Sequence, residues 1–582
     1  MEEGATAADI PPAEGGGLPL YHKEEWFGHP RGLSTLFFTE MWERFSYYGM
    51  RALLVLFMTA PLAGKNPGLG FGVEKSAAIY GLYTSMVYLL SLPGGWVADK
   101  IWGQRRAVFV GGCIIAAGHF SMAAPVIGLP DHVFFFLGLI LIVIGTGLLK
   151  PNVSTIVGDL YPQPEGSETD ERVEAAAEHW GARRDAGFSI FYMGINIGAV
   201  LGPTLCGWIG EDISFHWGFS LAGFGMVLGL IQYKIGDKYF GEAGLLKGDD
   251  TAEVLSKRSR NFYLTTAAVV AAIGIFAYLG ISGLLPVTLV QVGTWLGYGI
   301  LLVVLLFFAY LIFDPKWAAA FAGLWLVLVA VFNPAADADL AGRKATIGVL
   351  AIFIVMCVAY LIAKRDTIDI QHKRYMVIFW LFLLAAIFWS GFEQAGSSMN
   401  LFARDLTDRV LFGWEVPTTW LQNINPIFIV ILAPVFGWLW TWLADRHKNP
   451  SIPMKFSLGL LGLAAGFFVL AWGAANATTT AKVGMSWLVV TYFLHTVGEL
   501  CLSPVGLSSM TKLAPKDRVG QMMGIWFVAA ALGNLFAGLV AGQLEDLAPS
   551  ALFSSVAMFV AGAGIFALLL SPFAKKLTGG IE

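Results

Sequence analysis

The sequence predicts an all-α polytopic membrane protein. It has two groups of six spanning helices and two to four extra helices inserted between them, 14–16 transmembrane helices in all. Three observations predict this. Of the 582 residues 56% are hydrophobic and only 13% charged, whereas soluble domains carry about 25% charged residues. Apolar stretches of the roughly 20 residues needed to cross a bilayer recur along the whole chain. Basic residues concentrate in alternate connections. The net charge of −4 is small for this length, so nucleic acid is excluded as a partner. Cys113, Cys206, Cys357 and Cys501 lie far apart inside apolar stretches, which argues against a disulfide frame or a zinc site.

Residues 1–35 are polar, acidic and rich in Gly and Pro. They read as a cytoplasmic tail without a cleavable signal, since no basic segment precedes a short apolar one. Six spans follow near 36–60, 75–98, 107–127, 132–157, 187–208 and 216–236, making a bundle over 36–237. The insert, 238–373, holds four apolar stretches near 262–282, 289–313, 317–333 and 345–363. The third is short enough to be re-entrant or interfacial. Six more spans, near 374–397, 419–443, 456–475, 486–511, 521–542 and 550–572, form a second bundle over 374–573, with a tail at 574–582. Lys100, Arg105, Arg106, Arg183, Arg184, Lys238, Lys247, Arg446, Lys448, Lys512 and Lys516 fall in connections on one side. The positive-inside rule makes that side cytoplasmic, with both termini there. The insert must then cross an even number of times. Asp366 and His372-Lys373-Arg374 read as an interfacial anchor before the seventh core span.

The halves echo each other. Gly95-Trp-Val-Ala-Asp99-Lys100 is matched by Trp440-Thr-Trp-Leu-Ala-Asp445-Arg446, and Pro151 and Pro162 are matched by Pro504 and Pro515 at one common offset of 353 residues. Such repeats are a mark of transporters. The acidic stretch 163–186 has no counterpart and reads as a solvated loop or surface helix. Gly95-x3-Asp99-Lys100-x2-Gly103-x-Arg105-Arg106 resembles the loop between the second and third helices of the major facilitator superfamily. That resemblance implies a major facilitator fold and a role for this loop in conformational switching.

Charged side chains inside spans carry the functional reading. In the first span Glu40, Glu43, Arg44, Tyr47, Tyr48 and Arg51 fall within roughly 140° of arc at about 100° per residue. An ionised group near the bilayer centre costs about 2.5–3.5 kcal/mol even on lenient insertion scales, so this face must meet water or partners. Lys150 lies late in the fourth span, Glu393 in the seventh and Glu499 in the tenth, with Ser503 one turn on. Tyr192 and Asn196 mark the fifth span; Gln422, Asn423 and Asn425 precede Pro426, expected to kink the eighth. Tyr88 and Trp526 could complete a wet cavity. Four acids (Glu40, Glu43, Glu393, Glu499) face three bases (Arg44, Arg51, Lys150). The surplus carboxylate is expected to carry a proton. His119, His132, His216 and His495 show no ligand spacing and read as packing or interface residues.

Glu40-x-x-Glu43-Arg44-Phe45-x-Tyr47-Tyr48-Gly49 resembles the signature of proton-coupled oligopeptide transporters. Phe191-Tyr192-Met-Gly-Ile-Asn196-Ile-Gly198 and Glu499-Leu-Cys-Leu-Ser503-Pro504-Val-Gly506 are similar to that family's motifs in the fifth and tenth spans. The resemblance implies symport of di- and tripeptides with protons, by alternating access of the two bundles. Glu40, Glu43, Arg44 and Glu393 would couple protons. Arg51, Tyr48, Tyr88, Lys150 and Tyr192 would receive the peptide carboxylate, Asn425 and Glu499 its amino end, and Asn196 and Ser503 its backbone. Trp389 and Trp526 would line side-chain pockets. Arg51 with Glu393, and Lys150 with Glu499, would form gate pairs. A monomer in the plasma membrane (the inner membrane of a Gram-negative cell) is implied, with no cofactor or metal beyond the coupling proton. The alternative is the same fold carrying another anionic solute, such as nitrate or a conjugated metabolite. A lone anion, however, needs no carboxylate to receive an amine. No metalloprotease, C-x-x-C or phosphate-loop pattern suggests an enzyme, and gate-like ion pairs in two repeats fit a channel poorly.

Overall fold

The computed structural model describes residues 25–161, 171–246, 251–281, 284–285, 287–331, 338–478, 480–515 and 518–579. Residues 1–24 of the tail, Pro162 of the repeat, the acidic stretch before Glu171, Lys247 and Lys516 lie outside the described residues. The described chain is almost wholly helical, and eleven of its helical stretches are long and apolar enough to cross a membrane. By contacts it divides into two units, Met1–Leu69 with Leu89–Tyr278, and Gly70–Tyr88 with Leu279–Glu582.

The first unit opens with a two-strand hairpin, β1 (Glu25–Trp26) and β2 (His29–Pro30). Its two-residue turn is Phe27-Gly28, both with positive φ, +50° and +74°, as a tight hairpin turn requires. Helices α1 (Gly32–Thr59), α3 (Ser91–Val97), α4 (Gln104–Ala123), α5 (Asp131–Asp159), α6 (Glu171–Asp212), α7 (Phe215–Gly236) and α8 (Ala252–Ile281) follow. Here the acidic segment from Glu171 onward is not a separate loop or surface helix. It is the start of a continuous 42-residue helix that runs on into the fifth span. With no proline between 171 and 202, the spanning helix propagates outward, each added residue contributing one backbone hydrogen bond.

Small residues set the spacing in this unit. A Cβ at Gly111 of α4 would lie 2.6 Å from the carbonyl oxygen of Gly145 of α5, and one at Gly118 would lie 2.8 Å from that of Gly138. Gly194, Gly198 and Gly202 lie one turn apart on α6 and meet Phe37, Met41 with Arg44, and Phe45 with Gly49 of α1. Bare backbone at these points lets α1 and α6 approach as membrane helices often do. The loop resembling the superfamily switch is a π-turn, Ala98–Trp102, ending at Gly103 with φ +75°. Gln104 donates to Asp99 (2.8 Å), and Arg105 donates to the carbonyls of Ala243 (2.6 Å) and Gly241. The connection after α7 is thereby tied to it.

In the second unit lie α2 (Val73–Leu89), α9 (Leu289–Ile312), α10 (Pro315–Val331), α11 (Ala338–Ala363), α12 (Ile370–Phe392) and α13 (Ser398–Asp405), then α14 (Ile424–Ala444), α15 (Ile452–Ala475), α16 (Ser486–Leu513), α17 (Val519–Gly542) and α18 (Pro549–Leu577). The insert thus holds four helices among the described residues, α8–α11, and α10 is 17 residues long. Its aromatic side chains Phe313, Phe321, Phe353 and Tyr360 join one apolar core with Phe379 and Phe382 of α12. Two sequence expectations change. His372-Lys373-Arg374 lies inside the first turns of α12, with Arg374 donating to the Thr578 carbonyl at 3.2 Å. Pro426 does not kink a helix: it is the third residue of α14, where a missing N–H costs no internal hydrogen bond. The break falls before it, between a 3-10 helix at Thr418–Asn423 and α14.

The hairpin is fastened from three sides. His29 Nδ1 is 2.9 Å from the Tyr161 hydroxyl, Arg183 pairs with Glu25 at 2.8 Å, and its guanidinium donates to the Gly28 carbonyl. Burial, followed by the charge of Arg183, pushes the His29 imidazole below its ordinary range. Burial pushes the Tyr161 hydroxyl up to about 12. A docked, neutral His29 means that the released strap binds the proton more readily. Docking is therefore complete above the ordinary histidine range and weakens as pH falls through it. We expect limited proteolysis near residue 27 to accelerate severalfold between pH 7 and pH 5, and the His29→Gln variant to lose that dependence.

A second expectation concerns the α1–α6 seam. A Cβ at Gly198 would sit 2.3 Å from the Met41 carbonyl oxygen. Gly198→Val should destabilise the fold by about 1–3 kcal/mol or more, seen as a lowered apparent Tm in detergent, while a valine at open Gly299 should leave it unchanged.

Candidate functional site

Packing of α6 against α1 presses the backbone of Gly198 to the Cβ of Arg44 and so fixes where that side chain starts. Its Nε lies 2.9 Å from Glu40 Oε1 and 2.5 Å from Glu43 Oε2. All three side chains are buried, Glu43 completely. These are charge contacts without hydrogen-bond alignment: neither oxygen of Glu43 has a hydrogen-bond donor among the described residues. One guanidinium thus touches two carboxylates that water cannot reach freely. The guanidinium of Arg44 stands 5.4 Å from the Tyr47 ring centroid. Arg51, also buried, stands 6.0 Å from Tyr47 and 5.8 Å from Tyr48. Tyr47 is the phenol shared by both arginines, a role that its place on the polar arc indicated and that residue-by-residue assignment passed over.

Lys150 is half-buried on α5, near enough for its charge to act on Glu43. The next residue, Pro151, lies inside the helix. The amide of Asn152 bridges the carbonyls of Leu148 (2.6 Å) and, on α3, Gly94 (3.3 Å). That brace holds α5 where proline interrupts its ladder. On α6 the Asn196 amide donates to the Tyr192 carbonyl at 3.0 Å, and Tyr192 itself is exposed. The first unit therefore gathers Glu40, Glu43, Arg44, Arg51, Tyr48 and Lys150 about α1.

In the second unit Glu499 is held by Asn425, whose Nδ2 donates to Glu499 Oε2 at 3.0 Å and to Thr496 Oγ1 at 2.9 Å. Gly498 makes this possible: a Cβ there would meet the Gly459 carbonyl at 2.6 Å, so α15 and α16 touch one residue before the carboxylate. Thr496 was missed by sequence reasoning. Its signal was the i, i+3 spacing to Glu499 on one helix face. Glu393 is buried in a 3-10 turn after α12, close enough for its charge to act on Glu499. Next to it Gln394 accepts from Ser398 Oγ at 2.8 Å.

Ser503 Oγ and Trp389 Nε1 are buried without hydrogen-bond partners among the described residues. Trp389 packs on Gly533 of α17, and Trp526 lies against Gly506 of α16, both places where a side chain would collide. Tyr88, at the end of α2, is half-buried. Arg51 and Glu393 belong to different units, as do Lys150 and Glu499. His119 and His495 are buried in packing. His216 contacts the Met122 carbonyl (3.1 Å) and Asp131 (3.4 Å).

Eleven described stretches long and apolar enough to cross a membrane, with a charged, buried α1 in one unit and a polar helix pair in the other, define a polytopic membrane protein. The sequence profile described as the POT family matches residues 105–556. The chain belongs to the POT family. It is similar to the peptide transporter YePEPT of Yersinia enterocolitica (38% identity, covering 95% of this chain and 96% of that one). It is also similar to a di-/tripeptide transporter of Lactococcus lactis subsp. cremoris (32% identity, 96% and 99%). Among solved structures it resembles a mutant of the peptide transporter POT in complex with alafosfalin, at 34% identity and TM-score 0.74, covering 96% of this chain and 97% of that one.

If Arg44 serves both carboxylates, Arg44→Ala should leave two buried acids without their cation and cost about 3–5 kcal/mol. Adding Glu40→Gln and Glu43→Gln should recover most of that loss. Thermal unfolding of the single and the triple variant checks it.

Proposed function

We propose that this chain moves di- and tripeptides into the cell together with protons. The observation that carries the reading is the buried Glu40–Arg44–Glu43 cluster, in which one guanidinium faces two carboxylates. The family and the names of its relatives support peptide as the cargo. A zwitterionic peptide needs cations for its carboxylate and an acid for its amine. The first unit supplies Arg51 and Lys150 and the second supplies Glu393 and Glu499. In this reading Tyr48, Tyr88 and Tyr192 assist the carboxylate end, Asn425 helps Glu499 with the amine, Asn196 and Ser503 hold the backbone, and Trp389 and Trp526 receive side chains.

Protonation of Glu43 releases Arg44 from one of its two acids, so proton and peptide binding draw on the same charges. Arg51 with Glu393, and Lys150 with Glu499, act as gate pairs whose exchange for substrate and proton shifts the balance of states. The coupling ion is the proton, with no cofactor, and the protein works as a monomer in the plasma membrane with both termini in the cytoplasm.

The test is uptake into proteoliposomes under an imposed pH gradient. Wild type should accumulate labelled dipeptide. Glu43→Gln should lose gradient-driven accumulation at least tenfold while keeping peptide counterflow. Competition by di- and tripeptides but not by tetrapeptides or nitrate is expected. Gradient-independent uptake by wild type would remove proton coupling, and competition by nitrate alone would replace peptide with another anion.

A further inference from the structure

A cavity of about 360 Å³ lies between α14, α15 and α16, lined by none of Glu393, Asn425, Glu499 or Ser503. Its thirteen lining residues include two lysines, Lys455 and Lys512, and no carboxylate, so it favours an anion. Lys455 is buried in the first turn of α15, with its ammonium 4.6 Å from the centroid of the Trp440 ring. Ser509 and Asn449 add polar groups, and the Asn449 side-chain oxygen is buried without a hydrogen-bond partner among the described residues. The remaining walls, with Phe436 and Val505 among them, are apolar.

The surroundings say what kind of anion. Of the eleven described helical stretches long and apolar enough to cross a membrane, the one containing α14 is the least covered: only 6% of its most apolar stretch is buried, against 39% or more in the other ten. Ile427, Val430, Ile431, Val435 and Trp438 stand exposed along it. The helix that walls this lysine-lined cavity thus also carries a long face suited to hydrocarbon. At the same end of α14 the chain continues through Arg446 and Lys448, with Asp445 the one acid among them. Inorganic phosphate would satisfy the lysines but leave the apolar wall and most of the volume unfilled. A headgroup on a diacyl tail meets both.

We propose that this cavity binds the phosphate of an anionic phospholipid headgroup through Lys455 and Lys512, with the acyl chains lying along the uncovered face of α14. Lys455 gives the charge a low-dielectric setting in which the attraction is strong. Trp440 walls the headgroup where indole rings favour the membrane interface. The site is independent of the peptide reading, because none of its residues belongs to the proposed cargo or proton machinery.

The experiment is native mass spectrometry of the full-length, delipidated protein, titrated with phosphatidylglycerol, with phosphatidylcholine of the same acyl chains, and with inorganic phosphate. Phosphatidylglycerol should bind at least fivefold more tightly than phosphatidylcholine. Lys455→Gln with Lys512→Gln should bring that preference below twofold, whereas Lys575→Gln with Lys576→Gln should leave it intact. Should the double variant fail to fold, Lys512→Gln alone, at an exposed position, should at least halve the preference. Equal binding of the two lipids overturns the proposal, as does a preference that survives the lysine changes. Displacement of phosphatidylglycerol by equimolar phosphate would also overturn it, assigning the cavity to a free anion instead.

Discussion

One buried guanidinium shared between two carboxylates governs the first unit. Arg44 cannot move far: its Cβ rests on the backbone of Gly198, and its Nε faces Glu40 and Glu43 together. Removing ions from water is costly unless partners replace the lost solvation, and here Arg44 touches both carboxylates while Lys150 acts on Glu43 from farther off. The glycine stripe of α6, the aromatic shelf of Tyr47 and the brace at Asn152 are best understood as ways of holding that cluster still. A cluster that were loosely held would simply rearrange or hydrate; this one is packed on every side.

The second unit solves the converse problem. Among the described residues Glu499 has an amide rather than a cation beside it, since Asn425 donates to it while also bonding Thr496. An amide steadies a carboxylate by hydrogen bonding without bringing a counter-charge. Glu393 nearby adds negative charge. Cation-rich and acid-rich halves are therefore built by different means, and the asymmetry follows from which side-chain types each half contributes, despite their repeated helical plan.

The polar face of α1 was legible in the sequence because period 3.6 alone places 40, 43, 44, 47, 48 and 51 on one arc, and the structure buries that face around Arg44. The succession of spans was legible for a similar reason, since apolar length is a local property. What escaped was non-local or sub-helical. Nothing in the composition of 163–186 says that helical hydrogen bonding continues from Glu171 into the fifth span. Pro426 looked like an interruption, yet its effect depends on where the helix begins, and a preceding 3-10 helix moved that start to Ile424. The grouping of Gly70–Tyr88 with the second unit rests on Gly81 meeting Gly538, a pairing of residues hundreds of positions apart. Thr496 was overlooked because threonine is unremarkable in a membrane helix until its neighbour is known.

The seam between α4 and α5 has an implication for how this sequence can vary. Gly111 and Gly118 are seven residues apart, as are Gly138 and Gly145, and they meet in reverse order. Two turns of helix thus separate the points where backbone touches backbone. Inserting or deleting one residue between either pair would rotate half the helix by about 100°, swinging a full side chain into a gap sized for hydrogen. Substitutions elsewhere on these helices can accumulate one by one, but length changes between 111 and 118 or between 138 and 145 cannot, whereas the short connector at 124–130 is free of this constraint.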